Sequence, residues 1–299
     1  MANAIIVLAG ATGGLGGRIA RELLGKGAHV RAIVRHGSAP DKVEELRKQG
    51  AEIADVDFNS VSEVSGACLG GSCVISALSG LREVVVETQS ILLEAAVRAG
   101  VPRFIPSDFS IDFTKLPPGT NRNLDLRREF HERLDSAPIA ATSIFNGMFT
   151  ELLTGQAPII LFKLKRIVYW EDADQRLDFT TMDDTAKFTA AAALDSSAPR
   201  WLRIAGDQIS ARGLLEITSK VTGKKFRLLR AGSLRRLETL IKITRAVIPK
   251  SNSVYPPWQG MQYLHNMFSG RASLGPLDND RYSGVQWTTA REVVAARKV

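Results

Sequence analysis

The run Gly10-Ala11-Thr12-Gly13-Gly14-Leu15-Gly16 comes after an apolar segment, residues 5–9, and precedes a stretch of helical spacing at 13–25. A glycine-rich turn between a strand and a helix directs backbone N–H groups from the positive end of the helix dipole, where a pyrophosphate can sit. Gly10 permits the tight turn, Gly13 lets the backbone approach the phosphates, and Gly16 lets the helix pack close to the sheet. The spacing is G-x-x-G-x-x-G rather than G-x-G-x-x-G, and no Gly-Lys-Ser/Thr closes it, which excludes an ATP-type P-loop. Gly10, Thr12, Gly13, Gly14, Leu15 and Gly16 are therefore expected to hold a dinucleotide.

Beyond the loop, the alternation of apolar runs and amphipathic stretches supports a parallel sheet. Strands are expected at 30–34, 52–56, 73–77, 103–106 and 139–145, and helices at 41–49, 84–99 and 124–134. Parallel neighbours need a crossover, and a helix is the usual one. The expected fold is α/β: a Rossmann-type doubly wound parallel sheet, with a smaller α+β C-terminal substrate part. Residues 1–150 are read as the dinucleotide-binding domain and 151–299 as a smaller substrate-covering part packed intimately on it, since no flexible linker is visible.

The second strand discriminates between cofactors. Dinucleotide folds that take NAD place an acidic residue at its end, about 20 residues after the loop. Here the position holds Arg35, with His36, Gly37 and Ser38 next in the chain. An arginine fork there can pair with a 2′-phosphate, and Lys42 adds positive charge, so NADP(H) is the expected cofactor. Asp57 and Phe58, after the third strand, either contact adenine or serve a turn or cap. Ala77 and Leu78 end the fourth strand and either border the cofactor or only turn the chain.

The loop, Arg35, the segment Ala99-Gly100-Val101-Pro102-Arg103-Phe104-Ile105-Pro106-Ser107-Asp108-Phe109 and the turn Phe145-Asn146-Gly147-Met148-Phe149 together resemble the NmrA-like and isoflavone-reductase-like branch of atypical short-chain dehydrogenases. Residues 204–210 and 222–225 are also similar to the family. The resemblance implies that Pro106, Ser107, Phe145 and Asn146 lie near the nicotinamide. It also implies a lysine on the helix after the Pro-Ser-Asp loop, yet no lysine occurs between Lys115 and Lys163. Arg127 falls closest to its place, and arginine cannot trade a proton at neutral pH. The Tyr-x-x-x-Lys pair of ordinary short-chain dehydrogenases is missing too, because Tyr169, Tyr255, Tyr263 and Tyr282 lack a lysine four residues on. Arg127 and His131, one turn apart, are the remaining catalytic candidates. Asp108 either orients a ligand or caps the next segment. Asp183 and Asp184 read as a helix N-cap, and residues 255–268 read as pocket lining or core.

These residues are consistent with two function classes. The first is an NADPH-dependent reductase of a small aromatic or conjugated carbonyl-type substrate; the alternative is a non-catalytic NADP(H)-binding redox-sensing regulator. Two cysteines, Cys68 and Cys73, make neither a disulfide framework nor a zinc site, and no metal is expected. No secretory signal or membrane-spanning run is read, so the expectation is cytoplasmic with no membrane partner. The formal charge of +8 gathers in a basic stretch from Lys220 to Lys250 that includes Lys224, Lys225, Arg227, Arg230, Arg235 and Arg236. It reads as a solvated helix face, and with no nucleic-acid motif beside it no nucleic-acid partner is expected. Oligomeric state is left open by the sequence.

Overall fold

A computed structural model describes residues 4–248 and 253–297; Lys250, the last cation of the basic stretch, lies outside them. The chain forms two compact units that interleave along the sequence. The first takes the residues up to Phe109, then Leu126–Ile144 and Thr185–Leu202; the second takes Ser110–Asp125, Phe145–Asp184 and the residues from Arg203 onward.

The first unit begins β1 (Ile5–Ala9), α1 (Gly14–Gly25), β2 (His29–Arg35), α2 (Pro40–Lys48), β3 (Glu52–Val56), α3 (Val61–Cys68) and β4 (Gly71–Ser76). It continues with α4 (Gln89–Arg98), β5 (Arg103–Ile105), α5 (Arg122–Leu134), whose first turn belongs to the second unit, and β6 (Ala140–Ala141). The six strands form one parallel sheet in the order β3-β2-β1-β4-β5-β6. The chain leaves β1 toward β2 and later returns to β4 on the other side. The order therefore reverses between β1 and β4, and open α/β sheets bind ligands outside the carboxyl ends of strands at such a point. Ile6, Val7, Leu8 and Ala9 of β1 are fully buried, and each large apolar side chain so placed contributes about 1.5–3 kcal/mol. Val7, Val64, Val74, Leu92, Phe104, Phe130 and Leu134 belong to one packed cluster of this unit.

Three local features depart from the sequence pattern. The short helix α3, in which Ser60 Oγ accepts from Glu63 N, was not expected. The stretch expected as one helix opens with a π-helical turn, Glu83–Thr88, before α4 begins. Such a turn loosens the backbone ladder, and here side chains take up carbonyls: Thr88 Oγ1 donates to Glu83 O, Gln89 Nε2 to Val85 O and Ser90 Oγ to Val86 O. Lastly, the strand expected at 139–145 is two strands, β6 and β7 (Ser143–Phe145). Thr142 N still bonds Phe104 O, but Ser143 N turns to Arg200 O. The partner changes in mid-run, which an alternation of apolar residues does not reveal.

The second unit contains β8 (Met148–Phe149), β9 (Ile160–Leu161), β10 (Arg166–Trp170) and β11 (Arg176–Thr180), then α6 (Met182–Leu194), which continues into the first unit. After β12 (Trp201–Arg203) come β13 (Asp207–Ser210), α7 (Ala211–Thr222), β14 (Arg227–Gly232), α8 (Leu234–Val247), α9 (Pro257–Phe268) and α10 (Ala290–Ala296). Its strands make two small sheets, β14-β10-β9 and β13-β11-β8; β12 pairs with β7, and most of both strands belongs to the first unit. Asp183 and Asp184 are not the cap of α6. Thr181 Oγ1 accepts from Asp184 N, while the buried Asp184 carboxylate accepts from Thr288 N. On α9, Trp258, Leu264, Met267 and Phe268 are buried core, and Gln259, Gln262 and Asn266 form a buried polar row. Asn121 joins that row by accepting from Gln259 Nε2 and donating to Asn266 Oδ1. No helix among the described residues is long and apolar enough to cross a membrane.

Candidate functional site

The glycine loop is held by contacts no side chain would permit. Gly10 has φ +85°, and a Cβ on it would lie 2.6 Å from Ala77 O. A Cβ on Gly16 would lie 2.1 Å from Gly10 O, so the helix start is pressed against the turn. Gly13 N donates to Gly10 O and Gly17 N to Gly13 O, closing the turn into α1. No side chain caps α1 and no acidic residue sits in its first turn, whereas Ser60, Ser210, Ser233 and Thr289 cap other helices. The start of α1 is thus left with donors and a positive dipole end for an anion. Beside it is a cavity of about 220 Å³ lined in part by Thr12, Gly13, Gly14, Arg18, Arg21 and Lys42.

Lys42 was expected there, but Arg18 and Arg21 were not. Their spacing of three on α1 was the available signal, because it puts both on the face that continues from the loop. Arg18 Nη1 bonds Gly14 O, while Arg21 and Lys42 make no side-chain hydrogen bond or ion pair among the described residues. Arg35 is exposed at the end of β2, also with no side-chain partner among the described residues. Ser38 folds back on it, donating from N and Oγ to Arg35 O. The neighbouring His36 ring bonds Asp55 Oδ1, and that hydrogen bond raises its pKa. Asp57 makes a local turn, its Oδ1 accepting from Asn59 N and Nδ2, and Phe58 packs against the apolar cluster. These two have structural partners whatever else they touch.

Ala77 and Leu78 are brought to the loop. Ala77 N bonds Ala9 O, and Leu78 O accepts from Ser107 Oγ at 2.5 Å. Ser107 is then clamped on every polar atom: its N donates to Gln89 Oε1 at 2.8 Å, and its O accepts Arg127 Nε at 3.0 Å. The π-helical turn before α4 precedes the Gln89 side chain that reaches this loop. Pro106 O accepts from Asp108 N, so the loop turns sharply after Pro106.

Asp108 is fully buried, and its Oδ2 lies 2.7 Å from His131 Nε2. On the other side of the ring, Arg200 Nη2 lies 3.1 Å from His131 Nδ1. A guanidinium has no acceptor, so Nδ1 accepts and Nε2 carries the proton given to Asp108. His131 stacks on Trp201, with centroids 5.6 Å apart, and the Arg200 guanidinium lies 3.9 Å over the Trp201 ring. Burial pushes the Asp108 carboxyl up, but the His131 contact and the nearby Arg127 charge outweigh it and hold the carboxyl below its ordinary range. Arg127 thus clamps a loop, and both His131 ring nitrogens already have partners.

Phe145 and Asn146 belong to the second unit. The Phe145 ring meets Phe113 edge-on at 5.4 Å, and buried Asn146 donates from N to Ser110 O. Gly147, φ +69°, completes this turn, where a Cβ would lie 2.3 Å from Asp178 O. Burial raises both cysteine thiols to about 12, so neither supplies a thiolate at neutral pH.

Known proteins share this architecture. The model of the NmrA-like family matches residues 2–267. Pinoresinol reductase 1 of Arabidopsis thaliana is 30% identical over 241 residues, covering 74% of this chain and 75% of that one. Among solved structures, AtPrR2 with NADP+ and (+)pinoresinol superposes with a TM-score of 0.82 at 22% identity over 99% of both chains. The binary complex of leucoanthocyanidin reductase and NADPH from Vitis vinifera gives a TM-score of 0.78 at 17% identity, over 97% of this chain and 98% of that one.

Proposed function

Because this chain belongs to the NmrA-like family, we propose that it is an NADPH-dependent reductase that delivers a hydride to a small aromatic or conjugated carbonyl-type substrate. The observation that carries the reading is the loop of Gly10, Gly13 and Gly16 at an uncapped helix start, walled by Arg18, Arg21 and Lys42. These residues fit a phosphorylated dinucleotide: N–H groups for the pyrophosphate and cations for further phosphate charge. Arg35, exposed and without a side-chain partner at the end of β2, is assigned to the 2′-phosphate. The relatives support the same pairing of cofactor and substrate: one is a pinoresinol reductase, and another holds NADP+ with (+)pinoresinol. NADP(H) and an aromatic substrate are carried to this chain as part of the proposal.

When bound, the nicotinamide supplies the hydride. The protein's own residues bind and orient. Gln89, Arg127 and Leu78 hold Ser107 from three sides, and Asp108 with His131 fixes the loop beyond it. Arg127 holds the Ser107 carbonyl and stays protonated, so it cannot deliver a proton. With no family lysine and no Tyr-x-x-x-Lys pair, the site suits readily reduced acceptors that take their proton from water.

The test is a binding titration with NADPH and NADH, then NADPH absorbance with a panel of quinones, enones and aromatic aldehydes. Tight NADPH binding and turnover of at least one aromatic acceptor are expected. Tight binding with no turnover across the panel would establish the regulator reading in its place.

A further inference from the structure

The charge of this molecule is segregated. Between residues 220 and 250 the chain holds ten Lys and Arg against a single acid, Glu238, so this stretch alone carries more than the whole net charge of +8. The rest of the chain is close to neutral. All nine of these cations that lie in the described residues are exposed. Arg230 has a distant carboxylate, Glu171 at 3.7 Å, and Arg245 stacks near Trp258 at 5.3 Å. Lys220, Lys224, Lys225, Arg227, Arg235, Arg236 and Lys242 have neither an ion pair nor a ring partner among the described residues. Glu238, the one acid, is already hydrogen-bonded to His265.

The same stretch exposes apolar side chains. Four of the seven large hydrophobics exposed among the described residues fall here: Leu229, Ile243 at 55%, Val247 at 75% and Ile248. On α8, Leu237 is buried, while Arg236, Ile243 and Val247, spaced seven and four residues apart, share an outward face. Charge alone would suit any polyanion. Phosphates of a nucleic acid give no use to Ile243 and Val247, whereas an anionic bilayer takes both kinds of side chain: cations at the headgroups and apolar tips into the acyl boundary.

We propose that the outward face of α8, with Arg235, Arg236, Lys242, Ile243 and Val247, is a docking surface for an anionic lipid bilayer. The protein then adsorbs peripherally and reversibly, with no spanning helix among the described residues. This departs from the expectation of no membrane partner and is independent of the reductase reading.

The experiment is vesicle sedimentation of the full chain at low salt, with phosphatidylcholine alone and with phosphatidylcholine containing phosphatidylserine. Binding is expected to the anionic vesicles only, and to weaken as salt rises. Each cation is worth about five-fold in partitioning, so Arg235→Gln with Arg236→Gln should weaken binding roughly twenty-five-fold. Ile243→Ser with Val247→Ser should also weaken it, without changing the charge. Both pairs are exposed, and an unchanged melting temperature verifies that the fold is intact. Failure to sediment with anionic vesicles would overturn the proposal. So would binding to duplex DNA that the Ile243→Ser/Val247→Ser variant retains in full while vesicle binding is absent. A dimer in solution that this variant dissociates would give the face to a second copy instead, and would equally overturn it.

Discussion

Arg103 and Arg127 of the first unit are nearly sealed from solvent, and Arg103 spends its guanidinium on Ala192 O, Ala193 O and Thr142 Oγ1. Arg235 and Arg236 of the second unit stand exposed on α8 with no side-chain partner among the described residues. The residue type is the same and its use is opposite. A buried guanidinium is stable only if each donor finds an acceptor, so Arg103 holds the last carbonyls of α6, where a cation also suits the helix dipole. Arg127 likewise holds the Ser107 carbonyl. Such residues fix geometry and have little charge left for a ligand. The exposed set fixes nothing and keeps its field for whatever approaches.

The largest effect is expected where the comparison is sharpest, at the buried end. Asp108→Asn keeps the shape but removes the carboxylate that receives His131 Nε2 and faces the Arg127 charge. It should cost about 3 kcal/mol, read as a fall in the urea midpoint. The pH dependence comes from the depressed carboxyl. The contribution is fully present above the unfolded value of about 3.9 and is lost as pH falls through the lower folded value. The stability gap between the two proteins should therefore be constant near neutrality and close in acid. A gap that persists unchanged at the lowest pH would mean that charge is not what Asp108 contributes.

Arg35 lies between the two extremes: exposed like the basic stretch, yet at the end of β2, the strand paired with the one that leads into the glycine loop. Arg35→Ala should reduce NADPH affinity by about ten- to a hundred-fold, the worth of a charge-assisted hydrogen bond, and leave NADH affinity nearly unchanged. Equal losses for both dinucleotides would remove the 2′-phosphate assignment and direct attention to Arg18, Arg21 and Lys42.

The buried and exposed arginines also differ in how far the sequence discloses their roles. The parallel sheet and the glycine loop are legible because they are local: a period, a composition and a spacing within about 30 residues. Lys42 is legible from its nearness to Arg35 in sequence. The Asp108–His131–Arg200 chain is not, because its members are 23 and 69 residues apart and a lone histidine carries no mark of its partners. The helix α3 escapes because it is short and contains Gly66, and the break at Thr142 because a strand can change partners without changing its pattern. At α6, two acids in the first turn point to the cap, but the neighbouring Thr181 hydroxyl takes it. Arg18 and Arg21 have a usable helical spacing, but two cations on a helix read equally well as an ordinary solvated face.

The smallest effect belongs to the exposed end and is as informative as the largest. Arg235→Gln with Arg236→Gln removes two cations that touch no carboxylate among the described residues, so folding has little to lose. The melting temperature should stay within about 2 °C of wild type. The direction of any small change is itself a test. Crowding of seven cations without partners is self-repulsion, so neutralising two should stabilise slightly at low salt, and the gain should vanish as salt screens the rest. A clear loss of stability would instead show that Arg235 or Arg236 has a structural partner in solution, and the contrast with Arg103 and Arg127 would fail at that residue.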